Sequence, residues 1–158
     1  MTKRSFVLAA VAALLLSALP ALAANPNFSG EWKMNAAKSD WGPMPTAPDK
    51  MIRKIEQTED TISITTTQAG PQGERTTSTT WKTDGSEQTV KMGNAEVKGT
   101  AKFENGALVI QSKREVQGME IGQKETWRLS EDGKVTTVTN QLSTPQGDFE
   151  IKIVLEKQ

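Results

Sequence analysis

The chain has 158 residues and a formal net charge of zero, with 19 Lys and Arg against 19 Asp and Glu. Neither sign dominates and no run of like charges stands out, so nucleic acid and anionic membrane surfaces are excluded as expected partners. Cysteine, histidine and tyrosine are absent, which removes disulfides, a Cys nucleophile, Cys or His metal ligands and an imidazole proton shuttle; no metal or other cofactor is expected.

Residues 1–23 read as an export signal. Lys3 and Arg4 form a basic start, Phe6 to Leu16 is an apolar run, and Ala21-Leu22-Ala23 is a small-x-small cleavage site. The run is shorter than the roughly 20 apolar residues of a spanning helix, so no stable membrane anchor is expected. No Cys follows the cut to carry a lipid. Cleavage between Ala23 and Ala24 leaves residues 24–158 as a single domain in the periplasm or the medium. It also removes two basic charges, leaving 17 basic against 19 acidic residues.

Short runs of alternating apolar and polar residues then follow one another to the end of the chain. They predict strands over 28–34, 50–57, 61–68, 75–82, 87–92, 97–104, 107–117, 120–129, 134–142 and 149–157. Turn signals separate them. Asn105-Gly106 favours a type I′ hairpin, because both residues tolerate positive φ. Asp84-Gly85, Gly93-Asn94 and Asp132-Gly133 are weaker versions, and Gly118-Met119 suits a type II′ turn. "AGPQGER" and "STPQGDF" share a tripeptide, and Trp81 and Trp127 each lead toward an Asp-Gly turn; this reads as a faint internal repeat or as convergent turn chemistry. The exception to strand patterning is "NAAKSDWGPMPTAPD", residues 35–49, whose three prolines predict a loop with one helical turn at Ala36-Ala37-Lys38. Short connections make successive strands antiparallel neighbours. The expected fold is all-β: an up-and-down meander of about 8–10 strands closed into a barrel, since closure removes the exposed edges.

The alternation also assigns faces. Phe149, Ile151, Ile153 and Leu155 share the inward side of the last strand. Around Gly118-Met119, Leu108 and Ile110 are expected to oppose Leu129 and Trp127. The same inward row continues to Ser112 and Arg114 on one strand and to Glu125, Gln123 and Ile121 on the other. One end of the row is apolar and the other polar. Two accounts fit: a cavity in which Arg114 meets a ligand carboxylate, or a solvated rim where the charges pair with each other. On the first, the expected ligand-binding residues are Arg114, Glu125, Gln123, Ser112, Trp127 and Ile110, with Glu125 offsetting Arg114 in the empty site. Trp41 and Met44 lie in the proline-rich loop, either capping the mouth or plugging the core. Eight threonines between residues 61 and 82 suit a wet cavity wall or a solvent-facing sheet. No catalytic residue is nominated. The serines have no His base, and the spacing of Asp40 and Asp49 does not distinguish them from turn residues.

"FSGEWKMN" places Gly30-x-Trp32 on the first strand of this meander. That pattern resembles the calycins, the superfamily of lipocalins, fatty-acid-binding proteins and avidins. "FSGEWKMNAAKSDWGPMP" with "WRLSEDGK" also looks like small exported bacterial proteins called lipocalin-like. The resemblance implies structural roles for Gly30 and Trp32: the Trp packs near the closed end of the barrel, and the glycine lets a neighbour pass close. It departs in two places. A fatty-acid-binding protein has a helix pair between strands one and two, where residues 35–49 are too rich in proline. A lipocalin carries a helix after the barrel, and this sequence ends on a strand. Ligand residues are therefore not carried over. The functional expectation is a non-enzymatic exported barrel that binds a small hydrophobic or amphipathic molecule. The alternative is a protein-binding barrel, such as an exported inhibitor or a chaperone-like factor, with no small ligand.

Overall fold

Alternation of side chains along the sequence becomes strand structure almost residue for residue in the computed structural model, which describes residues 24–44 and 46–158. The export signal expected over residues 1–23 lies outside the described residues. The strands are β1 (Gly30–Met34), β2 (Lys50–Gln57), β3 (Thr61–Gly70), β4 (Gly73–Lys82), β5 (Gln88–Met92), β6 (Ala95–Glu104), β7 (Ala107–Val116), β8 (Met119–Leu129), β9 (Val135–Thr144) and β10 (Gly147–Lys157). The one helical turn forms where expected, as a 3₁₀ turn over Ala36–Lys38. No helix among the described residues is long and apolar enough to cross a membrane.

All ten strands form one antiparallel sheet in the order β4-β3-β2-β1-β10-β9-β8-β7-β6-β5. β1 joins the two halves by pairing with both β2 and β10. It also explains the proline-rich segment. The chain leaves β10 for the 3₁₀ turn and returns to it at Asp40, which exchanges two 2.7 Å backbone hydrogen bonds with Lys152. Trp41 is thereby aimed at the barrel interior from the strand that Asp40 rejoins.

The sheet is nearly, not fully, closed: no backbone ladder joins β4 to β5. The seam is held at one end by a side chain. The Gln88 amide accepts from Lys82 N and donates to Lys82 O, both at 2.9 Å, so it stands in for a neighbouring strand.

One hairpin differs from its predicted geometry. β7 and β8 pair from Leu108↔Trp127 to Val116↔Met119, so the turn is Gln117-Gly118, not Gly118-Met119. Both turn residues have positive φ, 53° and 79°, as a type I′ turn requires, whereas type II′ needs only the first. The expected Leu108–Leu129 and Ile110–Trp127 pairs are each displaced by two residues. A shift of two preserves side-chain parity, so every inward residue stays inward. Asn105-Gly106, with φ of 51° and 71°, matches its type I′ assignment.

The core fills the closed end. Trp32, Phe28, Trp127, Leu108, Val138 and Leu155 are fully buried there. The Trp32 indole N–H donates to Phe28 O at 2.7 Å, and Phe28 meets Trp127 edge-on with ring centroids 5.9 Å apart. Gly30 has a φ of 132°, and a Cβ on it would press on the Lys157 side chain. That side chain crosses the Trp32 ring with its Nζ 5.4 Å from the centroid. The close neighbour that the glycine admits is therefore Lys157 of β10.

Candidate ligand cavity

Above the closed end the interior is hollow. The cavity measures about 600 Å³, within the roughly 300–1,000 Å³ typical of small-molecule sites. The β7–β8 register runs unbroken, with no bulge to turn the polar row outward. Ile110, Ser112 and Arg114 of β7 and Gln123, Glu125 and Trp127 of β8 all line the cavity. Trp41 lines it too, half-buried and packed on the core, and Met44 beside it is 40% exposed at the mouth. The loop thus both rests on the core and borders the opening.

The threonine-rich strands serve both surfaces. Thr66, Thr77 and Thr79 face the cavity. On the outer face, Ser63–Thr80, Thr65–Ser78 and Thr67–Thr76 form cross-strand hydroxyl pairs at 2.9–3.0 Å. Asp40 and Asp49 are tied to different strands, Asp40 to β10 through Lys152 and Asp49 to β3 through Ala69. Asp40 also caps its own turn through Gly42 N at 2.9 Å.

The charge arrangement corrects one expectation. Glu125 does not offset Arg114. Its Oε1 accepts from Gln123 Nε2 at 2.6 Å and its Oε2 from Trp127 Nε1 at 2.7 Å. Its cationic neighbour is Arg53 of β2, whose Nη1 lies 4.0 Å from Oε2. The Arg53 guanidinium also stacks over the Trp127 ring, 4.8 Å from its centroid. Burial pushes Arg53 below its ordinary pKa and Glu125 opposes the shift; arginine nonetheless stays charged. Arg114 and Arg75 have no carboxylate within ion-pair distance among the described residues.

Sequence reasoning missed Arg53 and Asn140. Met51, Arg53 and Ile55 alternate inward on β2, but Ile52 makes the outer face look apolar as well, so the pattern did not choose a face. Asn140 sits between inward Val138 and Leu142 on β9, opposite Glu125.

Buried polar atoms are nearly always hydrogen-bonded. Among the described residues six buried side-chain atoms are not, and five of them belong to cavity-lining residues: Trp41 Nε1, Arg53 Nε and Nη1, Arg114 Nε and Asn140 Oδ1. Four are donors and one is an acceptor. The cavity wall carries three arginines against one glutamate, although the whole chain is neutral.

No protein-family model and no curated protein matches the sequence. Solved structures do match. A zebrafish ileal bile acid-binding protein in complex with cholic acid is 21% identical, with 83% of this chain and 98% of that one covered and a TM-score of 0.54. A secretory abundant heat soluble protein from Ramazzottius varieornatus is 16% identical, covering 82% and 94%, with a TM-score of 0.58. Fatty-acid-binding protein 1 from Echinococcus granulosus is 13% identical, covering 82% and 96%, with a TM-score of 0.50. At these identities the likeness shows the fold alone: with its meander order and the Gly30-x-Trp32 core, this chain has the antiparallel calycin-type barrel fold that is also found in fatty-acid-binding proteins.

Proposed function

We propose that this protein is an exported, non-enzymatic barrel that binds a small amphipathic anion in its interior. The observation that carries the reading is the convergence of unpartnered donors on one cavity, Arg53, Arg114 and Trp41 among them. A donor shut off from water without a partner costs about 1–3 kcal/mol, so a ligand that fills the cavity has to bring acceptors to these groups. The anion's acid group meets Arg114, whose planar fork suits a carboxylate. Its apolar part lies along Ile110 and Trp127, and Trp41 borders it at the mouth. Ser112 and Gln123 flank the middle of the row. Two barrels of the same fold support the reading by what their names state: a bile acid-binding protein with cholic acid, and a fatty-acid-binding protein.

A protein-binding barrel needs an apolar surface patch. The described surface exposes Met44, Val116 and Met119 as its large apolar side chains, and no observation favours that alternative over the cavity.

Native mass spectrometry of protein taken from the envelope or medium of the cells that make it tests the reading. The expected result is a polypeptide of residues 24–158, beginning at Ala24, with a noncovalent anionic molecule attached. A chain retaining Met1 there overturns the cleavage and points to an anchored protein, and a ligand-free mature chain at all gentle conditions counts against the carrier reading.

A further inference from the structure

The two ends of the cavity differ in a way that specifies the ligand beyond its acid group, and this step rests on the proposed function above. At the inner end, Arg53 and Asn140 are 7% and 6% exposed. Register places Asn140 directly opposite Glu125, and Glu125 lies 4.0 Å from Arg53. The inner cluster is therefore already charge-compensated. It retains two free donors, Arg53 Nε and Nη1, and one free acceptor, Asn140 Oδ1. A second carboxylate there would face Glu125. A plain alkyl end would leave all three atoms dry and unpartnered. A neutral group that both accepts and donates satisfies them, and a hydroxyl is the simplest such group.

The outer end has the opposite character. Arg114 lies opposite Ile121, four residues along β7 from the Ile110–Glu125 level, which is about 13 Å along the strand. It has no carboxylate partner among the described residues, and neither does Arg75 at the mouth. Between the two levels lie Ser112 of β7, Gln123 of β8 and, opposite Gln123, the apolar Leu142 of β9. The geometry points to a hydroxylated acid as the ligand class: the hydroxyl enters first and sits between Arg53 and Asn140, an apolar body spans the middle, and the carboxylate stays at the mouth on Arg114. Glu125 acts as a positioning residue, because it fixes the Trp127 indole and balances Arg53.

The experiment compares laurate, ω-hydroxylaurate and the methyl ester of ω-hydroxylaurate by titration of tryptophan fluorescence, on the mature wild-type chain and on Asn140→Leu. The wild type should bind ω-hydroxylaurate at least about tenfold tighter than laurate, because a site built around a hydroxyl disfavours the analogue that lacks it. The ester should bind more weakly than the acid. Asn140→Leu should erase the preference while still binding laurate, which also verifies that the variant folds. If Asn140→Leu does not fold, the wild-type comparison decides alone. Equal or tighter binding of laurate by the wild type overturns the hydroxyl assignment and leaves the anion-binding reading intact. Equal binding of ester and acid overturns the placement of the acid at Arg114. Binding of none of the three overturns both this inference and the function it rests on.

Discussion

Replacing Trp32 with alanine is expected to cost about 3–5 kcal/mol of stability, the range for truncating a large buried aromatic. Trp32 is fully buried, its N–H holds Phe28 O at 2.7 Å, and the Lys157 side chain lies over its ring. The substitution opens a cavity where β1 meets β10, the pairing that joins the two halves of the sheet. It also loosens Phe28, whose ring supports Trp127 edge-on. The check is a denaturant midpoint at unchanged slope. A midpoint close to wild type would mean that Trp32 does not hold the closed end.

Replacing Glu125 with alanine should be about as damaging, again about 3–5 kcal/mol, because it strands one half of a buried ion pair. Arg53 would keep its charge in a buried position. Trp127 Nε1 and Gln123 Nε2 would each lose their acceptor. The double replacement Arg53→Met with Glu125→Leu should recover most of the loss, since exchanging a whole buried pair for apolar residues is often neutral or stabilising. Urea unfolding of the single and double variants measures both effects. A loss below about 1 kcal/mol for Glu125→Ala would show that water in the cavity solvates Arg53 well enough to need no partner.

The two variants mark what the sequence made legible. The strands and their inward faces followed from period-two alternation, and the barrel from the edges that an open meander would leave. The six proposed cavity residues of β7 and β8 were found together because that hairpin carries them in one parity class. A turn misplaced by one residue changes which residues are opposite, and it moved Glu125 from Ser112 to Ile110, but it does not change which side they face. Arg53 stayed hidden for the converse reason. On β2 both faces carry apolar residues, so alternation alone gives no preference. Which cation meets Glu125 is also a property of closure. Arg53 belongs to one half of the sheet and Glu125 to the other, four strands away in the sheet order, and no local pattern links them. The incomplete seam between β4 and β5 was equally invisible, because it depends on the Gln88 amide occupying the Lys82 backbone.

The central claim is that the interior binds an amphipathic anion through Arg114. A titration of laurate into the wild type and into Arg114→Gln, followed by tryptophan emission, tests it most directly. The account predicts saturable one-to-one binding by the wild type. It predicts a loss of about 1.5–3 kcal/mol in the variant, roughly ten- to hundredfold in affinity, as for removal of a charged hydrogen bond. The variant should unfold near the wild-type midpoint, because Arg114 is only partly buried and has no ion-pair partner among the described residues. Wild-type protein that shows no saturable binding, or an Arg114→Gln variant that binds laurate as tightly as the wild type, would contradict it.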